Sequence, residues 1–335
     1  MFNVGNLFKR LTRVFGVMVI MFSIFISISN ASENYPSKPI NFVVGFGIGG
    51  SADRMTRAMS SFLSESLNAR IKVINKKGAG TQLAANYVLK KPADGYTVFA
   101  STFTPYLANT ILSGGAKYKI SDFDYLNIQW YDFDLIAANK NTPYKNLPQL
   151  LNDIKAHPKK VKAAVVQGSG GHLLIKMLME RYHIPFKNLN LVTYNSGGKA
   201  RSAVAGGQVD FIAISAEGSE SIREFLTPLA IFKAQRHQKW DVPTVNEAIK
   251  PLGFQVPLFS GSMRGFAVNA KLKKLYPKRY NTLVNGIKKT LARKSVQKFL
   301  KKSQIGGVWT GPEKSNKLLK DTFEVYKKYG YLLKK

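Results

Sequence analysis

The sequence predicts an α/β fold in two domains. Three features carry that expectation. Short apolar runs of strand length alternate with segments of helical period, Gly, Ser, Asn or Asp marks nearly every changeover, and 335 residues suit roughly two domains.

Pro39 to Val44 reads as the first strand. The segment after Gly50 is a helix, because Ala52, Met55, Ala58, Met59, Phe62 and Leu63 fall on one helical face. Ile71 to Ile74 is a strand, Gln82 to Leu89 a helix, and Tyr96 to Ala100 a strand behind the Asp94-Gly95 turn, completing a βαβαβ half. Leu135 to Ala138 is a further strand. Asn139, Asn141, Pro143 and Pro148 then make a polar, proline-rich stretch suited to a crossing, so a second domain is expected from about residue 140. Within it lie the strand Val161 to Val166, the helix Leu173 to Tyr182, the strand Leu191 to Tyr194 and the short helix Lys199 to Ala205. Gly206-Gly207 ends that helix, and Val209 to Ile214 is the next strand. Gly265 to Asn269 leads back, and Leu272 to Tyr331 is helical with a break at Gly306-Gly307.

The chain has no cysteine, which excludes disulfides, thiolate nucleophiles and sulfur-ligated metals. Its four histidines show no H-x-x-x-H or H-E-x-x-H spacing. The formal net charge of +31 raises the alternative of a basic exported binder of nucleic acid or anionic surfaces. Against it, the basic residues of the C-terminal 65 come in ones and twos between apolar residues, as on a solvated helical face, and lysine outnumbers arginine 38 to 12. No nucleic-acid partner is expected.

At the N-terminus Lys9, Arg10 and Arg13 precede an uncharged stretch from Val14 to Ile28, and Ser29-Asn30-Ala31 supplies small residues for cleavage. Residues 1–31 therefore read as a signal peptide, and the mature chain as soluble and exported. A retained anchor is the alternative, although about 15 apolar residues fall short of the roughly 20 that span a bilayer.

Four junctions after predicted strands could carry chemistry. The first is GFGIGGSAD, from Gly45 to Asp53. It fits the G-x-G-x-x-G dinucleotide spacing, but the second strand runs into Asn75-Lys76-Lys77 where an acid should hold the ribose. What it does guarantee is a helix start with free N–H groups that attracts anions, carboxylates included. The others are Ser101-Thr102 with Thr104, GSGGH from Gly168 to His172, and NSGGK from Asn195 to Lys199. Loops after the carboxyl ends of strands line the crevice of open α/β sheets, so two junctions from each half should face one another. Each alone could be an ordinary turn that uses glycine for positive φ. Asp53 and Asp210 admit a structural reading, since an acid in a first helical turn stabilises the macrodipole. His172 could donate to an anion. Ser169 lies in Q-G-S-G-G, not the G-x-S-x-G elbow, so no serine-enzyme triad is legible.

These residues resemble the substrate-binding receptors of tripartite tricarboxylate transporters, the Bug family of periplasmic binding proteins. The resemblance rests on YPSKPINFVV at 35–44, GGSAD at 49–53, NKKGAG at 75–80, ADGYTV at 93–98, GSGGHL at 168–173, YNSGGKA at 194–200, GGQVD at 206–210 and VPTVNEA at 242–248, followed by GF at 253–254. It implies a two-domain, hinge-closing Venus flytrap fold, periplasmic location and no catalysis. The domains are expected at 32–139, 140–262 and, returning to the first, 263–335. The implied ligand-binding residues are Gly49, Gly50, Ser51, Ala52, Asp53, Ser101, Thr102, Ser169, Gly170, Gly171, His172, Tyr194, Gly197, Gly198, Lys199 and Ala200. The implied ligand is a small organic carboxylate, held largely through backbone N–H groups and water, and the implied partners are the large and small membrane subunits of such a transporter. No cofactor or metal is expected, and the receptor is expected to be a monomer. Gly45, Gly47 and Ile48 stand where the family usually has prolines, which points to an altered pocket shape.

Overall fold

The computed structural model describes residues 34–113, 115–194 and 196–333. The expected signal peptide over 1–31 lies outside the described residues. From Lys38 onward, two five-stranded sheets organise the described residues.

The first sheet begins with β1 (Ile40–Val44), a buried run of β-branched and aromatic residues. Helix α1 (Ser51–Leu67) follows, burying Met55, Met59, Leu63 and Leu67 at four-residue spacing and ending at Asn68 in the left-handed conformation. After it come β2 (Ile71–Asn75), α2 (Gln82–Lys90), β3 (Thr97–Thr104), α3 (Tyr106–Leu112) and β4 (Phe123–Tyr131). Strands β1, β2 and β3 are parallel. Phe99 and Phe103 of β3 pack edge-on with ring centres 5.4 Å apart, and Phe103 meets Tyr125 of β4 in the same way at 4.9 Å.

The second sheet holds β5 (Asp134–Asn139), α4 (Leu147–Ala156), β6 (Lys162–Val166), α5 (Gly170–Arg181), β7 (Asn190–Tyr194), α6 (Gly197–Ala205), β8 (Phe211–Ser215) and β9 (Leu226–Phe232). Its strand order is β7-β6-β8-β5-β9. Helix α7 (Val245–Ile249) precedes β10 (Met263–Asn269), which returns to the first sheet and completes the order β2-β1-β3-β10-β4. The two sheets share one plan: three parallel strands, then an antiparallel strand on which the chain arrives from the other sheet. Helices α8 (Lys271–Leu275), α9 (Pro277–Ala292), α10 (Lys294–Lys302) and α11 (Pro312–Tyr329) finish the chain. Tyr326 and Leu332 pack into the hydrophobic cluster of the second sheet, so the C-terminus does not belong to the first alone. Among the described residues no helix is long and apolar enough to cross a membrane.

Several expectations shift. The chain crosses between the sheets at Asp132–Phe133, not near 140: the strand Asp134–Asn139, expected in the first domain, pairs with β8 and β9. The proline-rich stretch after it instead starts α4, with Asn146 capping the helix and Pro148 in its first turn. Strands β4 and β9 were not expected. In β4 the polar Asn127 and Gln129 interrupt the apolar run, but both are buried and bond the backbone of Gly306, Val308, Thr310 and Gly311. In β9 Pro228 argues against a strand, and the edge position is what accommodates it.

Gly265 of β10 lies so close to β4 that a Cβ there would sit 1.9 Å from the Asn127 carbonyl oxygen. Gly265→Ala is expected to destabilise by about 2 kcal/mol or more. Gly198→Ala, which has open space, should change stability by less than about 0.5 kcal/mol. Urea unfolding of both variants checks this.

Candidate functional site

The two crossing segments meet. The Asp132 N–H donates to the Ser262 carbonyl at 3.0 Å, and a Cβ on Gly261 would collide with the Asp132 carbonyl oxygen. Beside this junction a cleft opens between the sheets in two adjoining compartments. The smaller, about 520 Å³, is lined by the Gly49–Ser51 turn, Arg54, Thr102, Trp130, Asp132, Gly197, Gly198, Arg201, Ser215, Ser262 and Arg264, among others. The larger, about 890 Å³, is lined by Lys77 to Gln82, Asn109, Leu112, Gln167, Gly168, Tyr194, Lys199 and Leu333 among others. Phe46, Ile48, Tyr106, Val166 and Ser196 line both.

Helix starts from the two sheets face the smaller compartment. Gly50 caps α1 and Ser196 caps α6. Gly49 has φ +79°, a conformation glycine adopts without strain. Its N–H is held by Asp53 Oδ2 at 2.9 Å, and the Gly50 N–H by the Gly47 carbonyl at 3.2 Å. Those two donors, expected to meet a ligand, hold the turn itself. The Ser51 and Ala52 amides, in the first turn of α1, and those of Gly197 and Gly198 in α6 lie at positions without intrahelical partners. Asp53 is buried beneath the turn and also binds Arg57 at 3.0 Å and Asn75 Nδ2 at 2.8 Å. Although burial alone pushes its carboxyl upward, the bonds to Arg57, Asn75 and Gly49 hold it below the usual carboxylate range. Asp53 thus shapes the loop and lines neither compartment.

Three arginines, none of them expected, converge on the smaller compartment. Arg264 enters on β10 and is 4% exposed. Its Nε donates to Ser51 Oγ at 2.7 Å, and Nη2 lies 3.4 Å from Asp132 Oδ2 and 3.5 Å from Ser215 Oγ. Nη1 is buried with no partner among the described residues. Arg201, on α6, donates from Nε to Ser219 Oγ at 3.1 Å and from Nη2 to the Ser215 carbonyl at 2.8 Å. Burial pushes its pKa down to about 10, which leaves it cationic at neutral pH. Arg54 is exposed, and it lines the same compartment. The guanidinium carbons of Arg264 and Arg54 lie 4.5 and 5.8 Å from the Trp130 ring centre. Trp130 in turn donates from Nε1 to Glu217 of the second sheet's side. One sign of these was readable: Arg264 stands in the apolar strand MRGFAVN, where a charge demands a partner.

Of the expected residues, Gly49, Gly50, Ser51, Thr102, Gly197 and Gly198 line the smaller compartment, and Tyr194 and Lys199 the larger. Ala52, Asp53, Ser101, Ser169, Gly170, Gly171, His172 and Ala200 line neither. Ser101 is fully buried and bonded to Thr81 Oγ1 at 2.8 Å. Ser169 caps α5, accepting from the His172 N–H at 3.1 Å. Gly170 and Gly171 leave room for the Asp134 carboxylate and the Ala213 carbonyl. His172 is buried, and its Nδ1 accepts from the Gly168 N–H at 3.3 Å. Burial, with Lys176 nearby, pushes its pKa down to about 4, so it stays neutral and offers no charge to an anion. Asn109 of α3 bridges to the Gly168 carbonyl across the cleft.

Residues 55–335 match the family described as the tripartite tricarboxylate transporter family receptor, TctC. The chain belongs to that family. Among curated relatives it is 29% identical to protein BugT of Bordetella pertussis over 261 residues, 75% of this chain and 77% of that one. Among solved structures it resembles MatC of Rhodopseudomonas palustris with bound malate (TM-score 0.73, 22% identity, 88% of this chain and all of that one). It also resembles R. palustris Rpa4515 with adipate (TM-score 0.72, 22% identity, 90% and 99%). The two-domain α/β fold of this family's receptors is the one seen here. The matched region begins inside α1, so the Gly49–Asp53 turn lies just outside it.

Asp134, the first residue of β5, is buried and feels the charges of Asp132 and Arg264. Burial first, and the Asp132 charge second, push its pKa up to about 7, against the pull of Arg264 and the Gly171 N–H. Because the folded value exceeds the unfolded one, the stability linked to this group is full below about pH 4 and is lost as pH rises through about 7. Asp134→Asn should therefore melt like the parent in acid and gain on it progressively up to neutral pH. Paired thermal melts across that window check this, and a constant difference would contradict it.

Proposed function

We propose that the protein is an exported, periplasmic receptor that captures a small organic carboxylate between its two sheets and presents it to the large and small membrane subunits of a tripartite tricarboxylate-type transporter. The observation that carries this is the meeting, at one cavity, of the α1 and α6 helix starts from opposite sheets, joined by guanidinium groups. Malate and adipate in the MatC and Rpa4515 structures support an organic acid as the ligand class. The two lobes are residues 38–131 with the return from 263, and residues 134–262, hinged at the paired crossings. A ligand that touches both lobes favours the closed arrangement through contacts the open one lacks.

The reading is of binding without turnover. Ser51 Oγ accepts from Arg264, a cation and not a base, and His172 is buried in the second lobe. The lysines of α8 to α11 are exposed, which supports reading them as solvated helical faces.

Thermal unfolding of residues 32–335 against di- and tricarboxylates, amino acids, nucleotides and DNA tests this. One carboxylate class should raise the melting temperature saturably, by roughly 5 °C at a hundredfold excess over Kd. A response only to polyanions, abolished by salt, would overturn it.

A further inference from the structure

We propose that the smaller compartment takes a ligand head bearing two negative charges, either paired carboxylates on one carbon or a phosphonate, and that Arg54, Arg201 and Arg264 select it. The proposal rests on the carboxylate-receptor reading and narrows its ligand.

The charged residues lining that compartment are three arginines and one acid, while Asp134 and Glu217, the other acids that feel Arg264, stand behind its lining. Asp132 is already engaged elsewhere: its Oδ1 accepts the Phe133 N–H at 2.9 Å and the Glu217 N–H at 3.2 Å, and only Oδ2 faces Arg264, at 3.4 Å. The buried Arg264 Nη1 has no acceptor among the described residues. A guanidinium offers five N–H donors in a planar fork suited to carboxylate or phosphonate oxygens. The sequence also clears space for Arg201. A Cβ on Gly218 would come within 2.5 Å of its Nη2, and one on Gly197 within 2.7 Å of its Nη1. After burial, and against the pull of Asp132, the charges of Arg264 and Arg54 both push the Arg201 pKa down, so like charges crowd this compartment. An anion of matching charge relieves that repulsion, and a singly charged head relieves only part of it.

The rest of the ligand is apolar. Phe46 and Tyr106, whose rings meet edge-on at 5.0 Å, line both compartments and lead into the larger one, where Leu112, Tyr194 and Leu333 contribute. A head in the arginine compartment would place an organic chain along this wall.

Butylmalonate, its isomer pimelate and the monoanion heptanoate share a seven-carbon skeleton count and differ in whether two charges sit together, apart or not at all. Titration calorimetry should find butylmalonate at least about tenfold tighter than either of the others. Arg54→Gln, at an exposed position that leaves the fold intact, should weaken butylmalonate about tenfold and heptanoate less. Hexylphosphonate in mildly alkaline buffer, where it carries two charges, separates the sources: tighter binding than butylmalonate identifies a tetrahedral head, weaker binding a carboxylate pair. Equal affinity for heptanoate and butylmalonate, tighter pimelate, or an Arg54→Gln loss equal for all would overturn this proposal alone. Failure of every carboxylate in the melting panel would overturn the receptor reading with it.

Discussion

Taking a guanidinium out of water is tolerable only where anions and lone pairs surround it, and this chain buries Arg264 at the seam between its two sheets. Its contacts draw on three separate parts of the fold: Ser51 at the head of α1, Asp132 in the first crossing and Ser215 at the end of β8. Each lies at the carboxyl end of a strand or just beyond it, so one side chain ties both sheets and a crossing to the cleft. The arrangement favours specificity of position over net stability, since a buried ion pair seldom outweighs its desolvation. The Trp130 ring lies against the same guanidinium, its centre 4.5 Å from the guanidinium carbon.

Around that residue the remaining features divide between shaping and receiving. Asp53, Asn75 and Arg57 clamp the glycine turn from beneath. The glycines 170 and 171 let α5 lie close against β5 and β8. What is left to face the cleft are amides at two helix starts, hydroxyls and cations. In a basic protein, long-range charge is screened over roughly 8 Å at physiological salt, so the lysines of the outer helices act only weakly at the cleft.

Much of the fold was legible because its βα units use ordinary signals. Apolar runs in β1, β6 and β8, the period-four face of α1 and the glycines at the starts of α1, α5 and α6 all mark real elements. Strands β4 and β9 were hidden by buried polar residues and an edge proline, whose partners come from residues far along the chain. The site was legible by loop but not by role. Asp53, Ser169 and His172 sit in the expected junctions and serve the backbone there, whereas Arg264 reaches Ser51 across 213 residues, a pairing no local pattern announces.

The most direct test of the account is a crystal structure of the protein with butylmalonate. The ligand should lie between the lobes, its paired carboxylates within hydrogen-bonding distance of Arg264, Arg201 and the first-turn amides of α1 or α6, and its chain beside Phe46 and Tyr106. Ligand bound on the lysine-rich outer helices, or in the cleft with its carboxylates turned away from the arginines, would contradict it.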